Sequence, residues 1–205
     1  MARALLPLLA LPLALAACRD WRERVDPARA AAEPLQEEVS GEPVEFERKG
    51  FRIRLTPRAT YRIAGYAVET SRLLLDDWDF VSPLDVALVW GPVADPAALR
   101  HMRFHLSRRY VSWFWEGDLP PRVRPALPSH IANNHLVPAS EEVAQELDRI
   151  RVGDLVTLAG RLVDIEIRDA SGRVVRRSPT SLSRLDTGSG ACEQIWVESA
   201  EVERP

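Results

Sequence analysis

Two segments hold the side chains with the most chemical reach. Residues 129–139, SHIANNHLVPA, carry His130, Asn133, Asn134 and His135. Residues 181–193, SLSRLDTGSGACE, carry Asp186, Gly188, Gly190, Cys192 and Glu193. If the two segments meet, His135 can serve as base to the Cys192 thiol, with Asp186 or Asn134 orienting the imidazole. That arrangement of nucleophile, base and orienting group suits acyl transfer. Gly188 and Gly190 tolerate positive φ and close backbone approach, so successive amides there could bind an anion. The competing reading makes Cys192 a buried small hydrophobe beside a tight glycine turn that Asp186 caps, since cysteine is among the most buried residues. A shared site requires the segments to lie against each other, with the Asn133 and Asn134 amides bonded to acceptors at Asp186 and Thr187.

Metal chemistry has weaker support. His130 and His135 could join Cys192, Asp186 or Glu193, but five residues within a proline-flanked segment is not a diagnostic ligand spacing. His101 and His105 share a strand parity, and Arg103 between them would repel a cation. No metal or cofactor is expected. Tyr110, Trp113, Phe114 and Trp115, beside Arg108 and Arg109, could stack sugars or bases, although core packing is the expected role. Arg173, Arg176 and Arg177 read as a solvated hairpin within reach of anionic lipid heads or glycan.

The chain's 27 basic and 30 acidic residues leave a formal charge of -3, which argues against a general nucleic-acid binder. An apolar share of 46% is ordinary for a globular chain. Residues 1–17 have a basic start at Arg3 and a leucine-rich run broken by Pro7 and Pro12, the pattern of a secretory signal rather than a spanning helix. The run ends in Leu15-Ala16-Ala17-Cys18, which resembles the lipobox of bacterial lipoproteins. That resemblance implies cleavage before Cys18, lipidation of its thiol and anchoring to a membrane. Arg19, in place of the aspartate that favours inner-membrane retention, points to the periplasmic face of the outer membrane. Cys192 is then the one free thiol of the mature chain, in an oxidising compartment.

The elements that would position these residues are mostly strands. Residues 18–43 are charged and rich in Ala, Glu and Pro, and read as a lipidated tether with a short helix near residues 28–38. A single β-rich domain is expected over residues 44–205. Residues 51–55 and 61–66 alternate as two strands separated by a turn at Pro57, and 86–90 is an apolar run. Residues 102–106 alternate as well. Asp95-Pro96 and Ser140 are helix starts, the second leading Val143, Leu147 and Ile150 along one face. Residues 155–168 form the strongest strand pattern, with its apolar parity switching near Gly160, which calls for a bulge or sharp coil. Residues 169–172 turn into a hairpin, and Ile195-Trp196-Val197 is a final strand. The fold class is mainly β (α+β), a partly barrel-like antiparallel sheet with two short helices.

The Asn133–Ala139 segment matches an Asn-x-His-x-x-Pro-Ala pattern, and Asp186–Glu193 reads Asp-Thr-Gly-x-Gly-Ala-Cys-Glu. With Lys49-Gly50-Phe51, residues 83–88 and Gly153-Asp154, these resemble a family of uncharacterised bacterial envelope proteins over nearly the whole mature domain. The resemblance implies an envelope location and carries no activity. The expected function is a lipid-anchored binding or structural module with an envelope protein or glycan as partner. Its alternative is a cysteine-dependent acyl-transfer or hydrolytic enzyme acting on peptidoglycan or peptide.

Overall fold

A computed structural model describes residues 20–72, 78–186, 188 and 190–205. Strand β1 is Leu35–Glu38, β2 Val44–Arg48, β3 Phe51–Ser71 and β4 Leu84–Val89. Helix α1, Pro96–Leu99, precedes β5, Met102–Ser107, and β6, Tyr110–Trp115. Then come β7, Ile131–Pro138, helix α2, Glu141–Leu147, and strands β8, Leu155–Arg168, β9, Val174–Ser178, and β10, Glu193–Glu203. Both helices start at the expected caps: the Asp95 carboxylate accepts from the Ala97 amide and the Ser140 hydroxyl from the Val143 amide.

The mainly β expectation holds, and so does the partial barrel. Strand β3 pairs β4, β4 pairs β7, β7 pairs β10, β10 pairs β8, and β8 returns to β3, closing a ring of five strands. All of these pairings are antiparallel except β7 with β10, which run parallel. The sheet is therefore mixed rather than purely antiparallel. Five strands in this connectivity, with α2 between the third and fourth, have the architecture of the oligonucleotide- and oligosaccharide-binding (OB) barrel. Strands β1, β2 and β9 extend it, and β5–β6 is a separate hairpin.

Residues 51–71, expected as two strands, form one. Pro57 does not turn the chain; it sits where the β3–β8 register shifts, and a bulge is where a strand accommodates a residue without an amide hydrogen. The parity switch in β8 is real. Leu158 and Leu162 face the barrel interior, while Val163, Ile165 and Ile167 join a second core with Ile53, Leu55, Trp78, Val81 and Val137. Gly160 faces the point where the β10 register slips between Val197 and Ser199, and a methyl there would overlap the Trp196 carbonyl oxygen. Close backbone approach, more than φ, is what demands glycine here.

The segment expected as a tether is held against the body. Val25 and Ala30 are buried in the main core, and β1 pairs with residues 59–62 of β3. Residues 27–30 form a 3-10 turn and 35–38 a strand, replacing the expected helix. The Tyr66 hydroxyl accepts from the Asp26 amide and donates to the Asp26 carbonyl, both at 3.0 Å. Sparse apolar residues suffice when a barrel surface is there to receive them. Cys18 lies outside the described residues.

Candidate functional site

The segment around His135 is a strand rather than a loop. Strand β7 lies between β4 and β10, with Asp85 opposite His135 on one side and Gln194 beside it on the other. Alternation along these strands puts Asp85, Asn133, His135 and Gln194 on one face, and Val86, Asn134 and Glu193 on the opposite one. Cys192, immediately before β10, joins the first face, where the Asn133 Nδ2 donates to its Sγ at 3.8 Å.

The turn between β5 and β6 delivers a cation to that face. Ser107 pairs with Tyr110, so the turn is just Arg108 and Arg109, with φ of 50° and 65°. A two-residue hairpin turn of this kind needs positive φ at both positions and is usually built from Asn and Gly. Here two arginines occupy the left-handed region, at about 1–2 kcal/mol each. Arg109 reaches inward, its guanidinium 3.0 Å from Asp85 Oδ1, and donates to the Ser82 carbonyl at 3.2 Å. It also stacks 3.9 Å from the centre of the Trp78 ring. Asp85 is wholly buried and Arg109 nearly so. Removing one partner of such a pair costs about 3–5 kcal/mol, because the other charge stays buried.

Asp85 is also the partner of His135. The Nδ1 atom lies 2.9 Å from Asp85 Oδ1 but makes no hydrogen bond there. The imidazole and the Trp78 indole meet edge to face, their centres 5.8 Å apart. Asn133 ties the cluster together, donating to the Arg109 carbonyl at 2.8 Å and approaching Asp85 Oδ2 at 3.5 Å. Cys192 Sγ lies 3.6 Å from the same Arg109 carbonyl. Burial pushes the Cys192 thiol up to about 11; the Asn133 hydrogen bond opposes this, and the charges of Glu193, Asp85 and Asp186 add to it. At neutral pH the sulfur is a thiol, not a thiolate.

Two cavities open around Cys192 and Tyr110, which line both. One, about 170 Å³, has aromatic walls from Trp90, Tyr110 and Trp113, with Asp186 and Glu193 as acids. The other, about 480 Å³, is cationic, lined by Arg108, Arg109, Arg176 and Arg177 together with His135 and Gln194. Glu193 is held up at about 8, chiefly by burial and further by Asp186, while its backbone hydrogen bond and Arg184 oppose the shift.

The predicted site residues separate accordingly. Cys192 and His135 share the cationic cavity, whereas Asp186 lines only the aromatic one and accepts from the Ser181 hydroxyl at 2.7 Å. Asn134 turns to the barrel interior, donating to the carbonyls of Val86 and Ala132. The group beside the imidazole is thus Asp85, not Asp186 or Asn134. Gly188 lines the aromatic cavity and Gly190 the cationic one, both at positive φ. The expected amide nest includes residues 187 and 189, outside those described. The two segments do adjoin, through β7–β10 pairing and Asn133–Cys192; among the described residues neither Asn133 nor Asn134 bonds the Asp186 side chain, and Thr187 lies outside those residues.

The aromatic run is split, not packed into a core. Trp113 packs on the main core, while Tyr110, Phe114 and Trp115 are exposed. His130 pairs with Glu33 at 2.7 Å and packs on Trp90, away from His135's partners. Among the described residues no three His, Cys, Asp or Glu side chains converge as metal ligands. Asp85 and Trp78 are site residues that the sequence reading does not single out, while Arg109 and Arg176 enter it only in other groupings, beside the aromatic run and in the hairpin. One signal was present: Asp85 is the lone charge in the otherwise apolar strand LDVALV. No family model, curated protein or solved structure matches the chain.

Proposed function

We propose that this chain is a lipid-anchored module of the bacterial envelope that binds a partner at the mouth of its barrel. The observation carrying this reading is the pair of cavities divided by Tyr110 and Cys192, one aromatic and one cationic. Their walls come from the β3–β4, β4–β7 and β8–β10 connections, and loops on a rigid scaffold are where recognition usually sits. In barrels of this architecture the first-to-second and fourth-to-fifth connections commonly carry the ligand. Architecture alone names no ligand. The lipobox-like Leu15–Cys18 sequence supports the anchor, and Arg19 after it, by the same resemblance, supports the periplasmic face of the outer membrane.

A photo-crosslinking residue placed at Tyr110 in intact cells tests the binding reading. It should capture an envelope protein or glycan, and the adduct should fall away in a Cys18→Ser chain, which should also lose palmitate labelling and leave the membrane fraction. Capture no greater than from Val175, exposed on β9, would overturn the binding reading. Unchanged fractionation and labelling would overturn the anchor.

The alternative, a cysteine-dependent acyl-transfer enzyme, draws on Cys192 and His135 lining one cavity with Asp85 beside the imidazole. Against it stands the thiol itself, which is half-buried, protonated at neutral pH and engaged with Asn133 and the Arg109 carbonyl. Binding is the reading the geometry favours.

A further inference from the structure

The cationic cavity is built more like a receptor for an anion than like a solvated surface. Its arginines differ in how they are held. Arg109 is neutralised by Asp85, and Arg177 donates to Glu166 Oε2 at 2.9 Å. Arg108 and Arg176 have no carboxylate within ion-pair distance among the described residues, although the chain has more acids than bases. Among the described residues, two positive charges are therefore uncompensated at one cavity of about 480 Å³.

Neither arginine is placed by default. Arg176 sits over the Trp78 ring, its Cζ 4.5 Å from the ring centre, so the indole makes cation–π contacts with both Arg109 and Arg176. Its Nε–H is buried and has no acceptor, an arrangement that a surface arginine avoids by turning to water. Arg108 is held at a φ of 50°, a conformation that glycine would adopt without strain. Strain of this kind persists where the surroundings over-determine it, and it gathers at ligand clamps. Gln194, 3% exposed, supplies a separate sign. Its amide bonds the Ser178 hydroxyl at 3.1 Å and leaves its other terminus buried and unpartnered in the cavity wall. Whichever way the amide is turned, one end remains open to a ligand.

We propose that this cavity is a phosphoryl-binding site, in which Arg108 and Arg176 hold the anion and Gln194 receives a polar group beside it. A phosphomonoester carries about two negative charges at neutral pH, matching the two arginines that have no carboxylate partner among the described residues, and its three oxygens can accept from two guanidinium groups. The proposal deepens the binding reading by naming the chemistry that the cationic cavity recognises.

The test uses the full chain carrying Cys18→Ser, so that no lipid anchor contributes, with inorganic phosphate as the probe in calorimetry. Saturable binding is expected, weakened about tenfold or more by Arg176→Ala, as for loss of one charge-assisted hydrogen bond. Arg108→Gly is the second variant. It relieves the strained turn, so its melting temperature should rise while phosphate affinity falls, and unfolding cannot mimic that combination. Flotation with phosphatidic acid vesicles, against phosphatidylcholine vesicles as control, together with titration of glucose 1-phosphate, then separates a lipid headgroup from a soluble phosphorylated sugar. Either source supports the site, provided that Arg176→Ala removes the binding. Absence of saturable phosphate binding, or binding indifferent to both substitutions, overturns the proposal. That failure would leave the Tyr110 capture and Cys18 fractionation results standing, and failure of those would leave this one standing.

Discussion

At the scale of single residues, Cys192 decides between binding and turnover. A nucleophilic cysteine needs thiolate at working pH, which electropositive and partly exposed surroundings provide. Cys192 is half-buried beside the cationic cavity, but the Arg109 guanidinium is paired with Asp85, and the groups at hydrogen-bond distance of the sulfur are the Arg109 carbonyl oxygen and the Asn133 amide. Burial and neighbouring carboxylates push the thiol the other way. Native Cys192 should therefore resist maleimide at neutral pH and react only on unfolding, and Cys192→Ala should cost about 1 kcal/mol in a denaturant melt. Rapid labelling of the folded chain, slowed by His135→Ala, would reverse this and restore the enzyme reading. Cysteine in a glycine-rich loop suggested both roles; only its neighbours separate them.

At the scale of elements, β8 does the most to shape the molecule. Its first half packs into the barrel and its second half into the outer core, and Gly160 lies where β10 slips register to accommodate the change. Gly160→Ala should cost about 2–4 kcal/mol, the range of a severe steric substitution, since backbone rather than a movable side chain occupies the space. A chemical denaturation midpoint close to that of the parent would show that β10 can give way there. The β5–β6 hairpin is the other telling element. Its turn lacks Asn or Gly, so turn chemistry alone would not place a tight hairpin at Arg108-Arg109. The buried contacts of Arg109 with Asp85, Ser82 and Trp78 offset the cost, which is how tertiary structure overrides a local preference.

At the scale of the whole molecule, the N-terminal segment is built onto the barrel. Val25 and Ala30 dock into the main core, and Tyr66 clasps both backbone groups of Asp26. An anchor at Cys18 would thus be followed by a stretch fixed to the body from about residue 20, holding the barrel close to the membrane instead of on a long leash. Tyr66→Phe removes both hydrogen bonds at about 1 kcal/mol each. Trypsin should then cut at Arg24 or Arg29 faster than in the parent while the barrel resists. Equal cutting rates would mean that Val25, Ala30 and β1 hold the segment by themselves.

Much of this was legible in the sequence because it is local. Strand alternation in β3, β5 and β8, the caps at Asp95 and Ser140, the turn at residues 169–172 and the need for Gly160 each follow from a few neighbouring residues. The lipobox-like ending at Cys18 is also a local pattern. What tertiary structure alone decided is long-range. Ring closure of β3 onto β8, the parallel pairing of β7 with β10, and the docking of residues 20–38 join stretches whose partners no local period names. The site is the sharpest case. His135 and Cys192 stood out by residue type, whereas Trp78 and Asp85, Arg109, and Arg176 come from three separated stretches, the last of which read as a solvated hairpin. A residue's chemistry is written in its side chain, but whether a charge is paired or a thiol ionised depends on which distant groups the fold brings within a few ångströms.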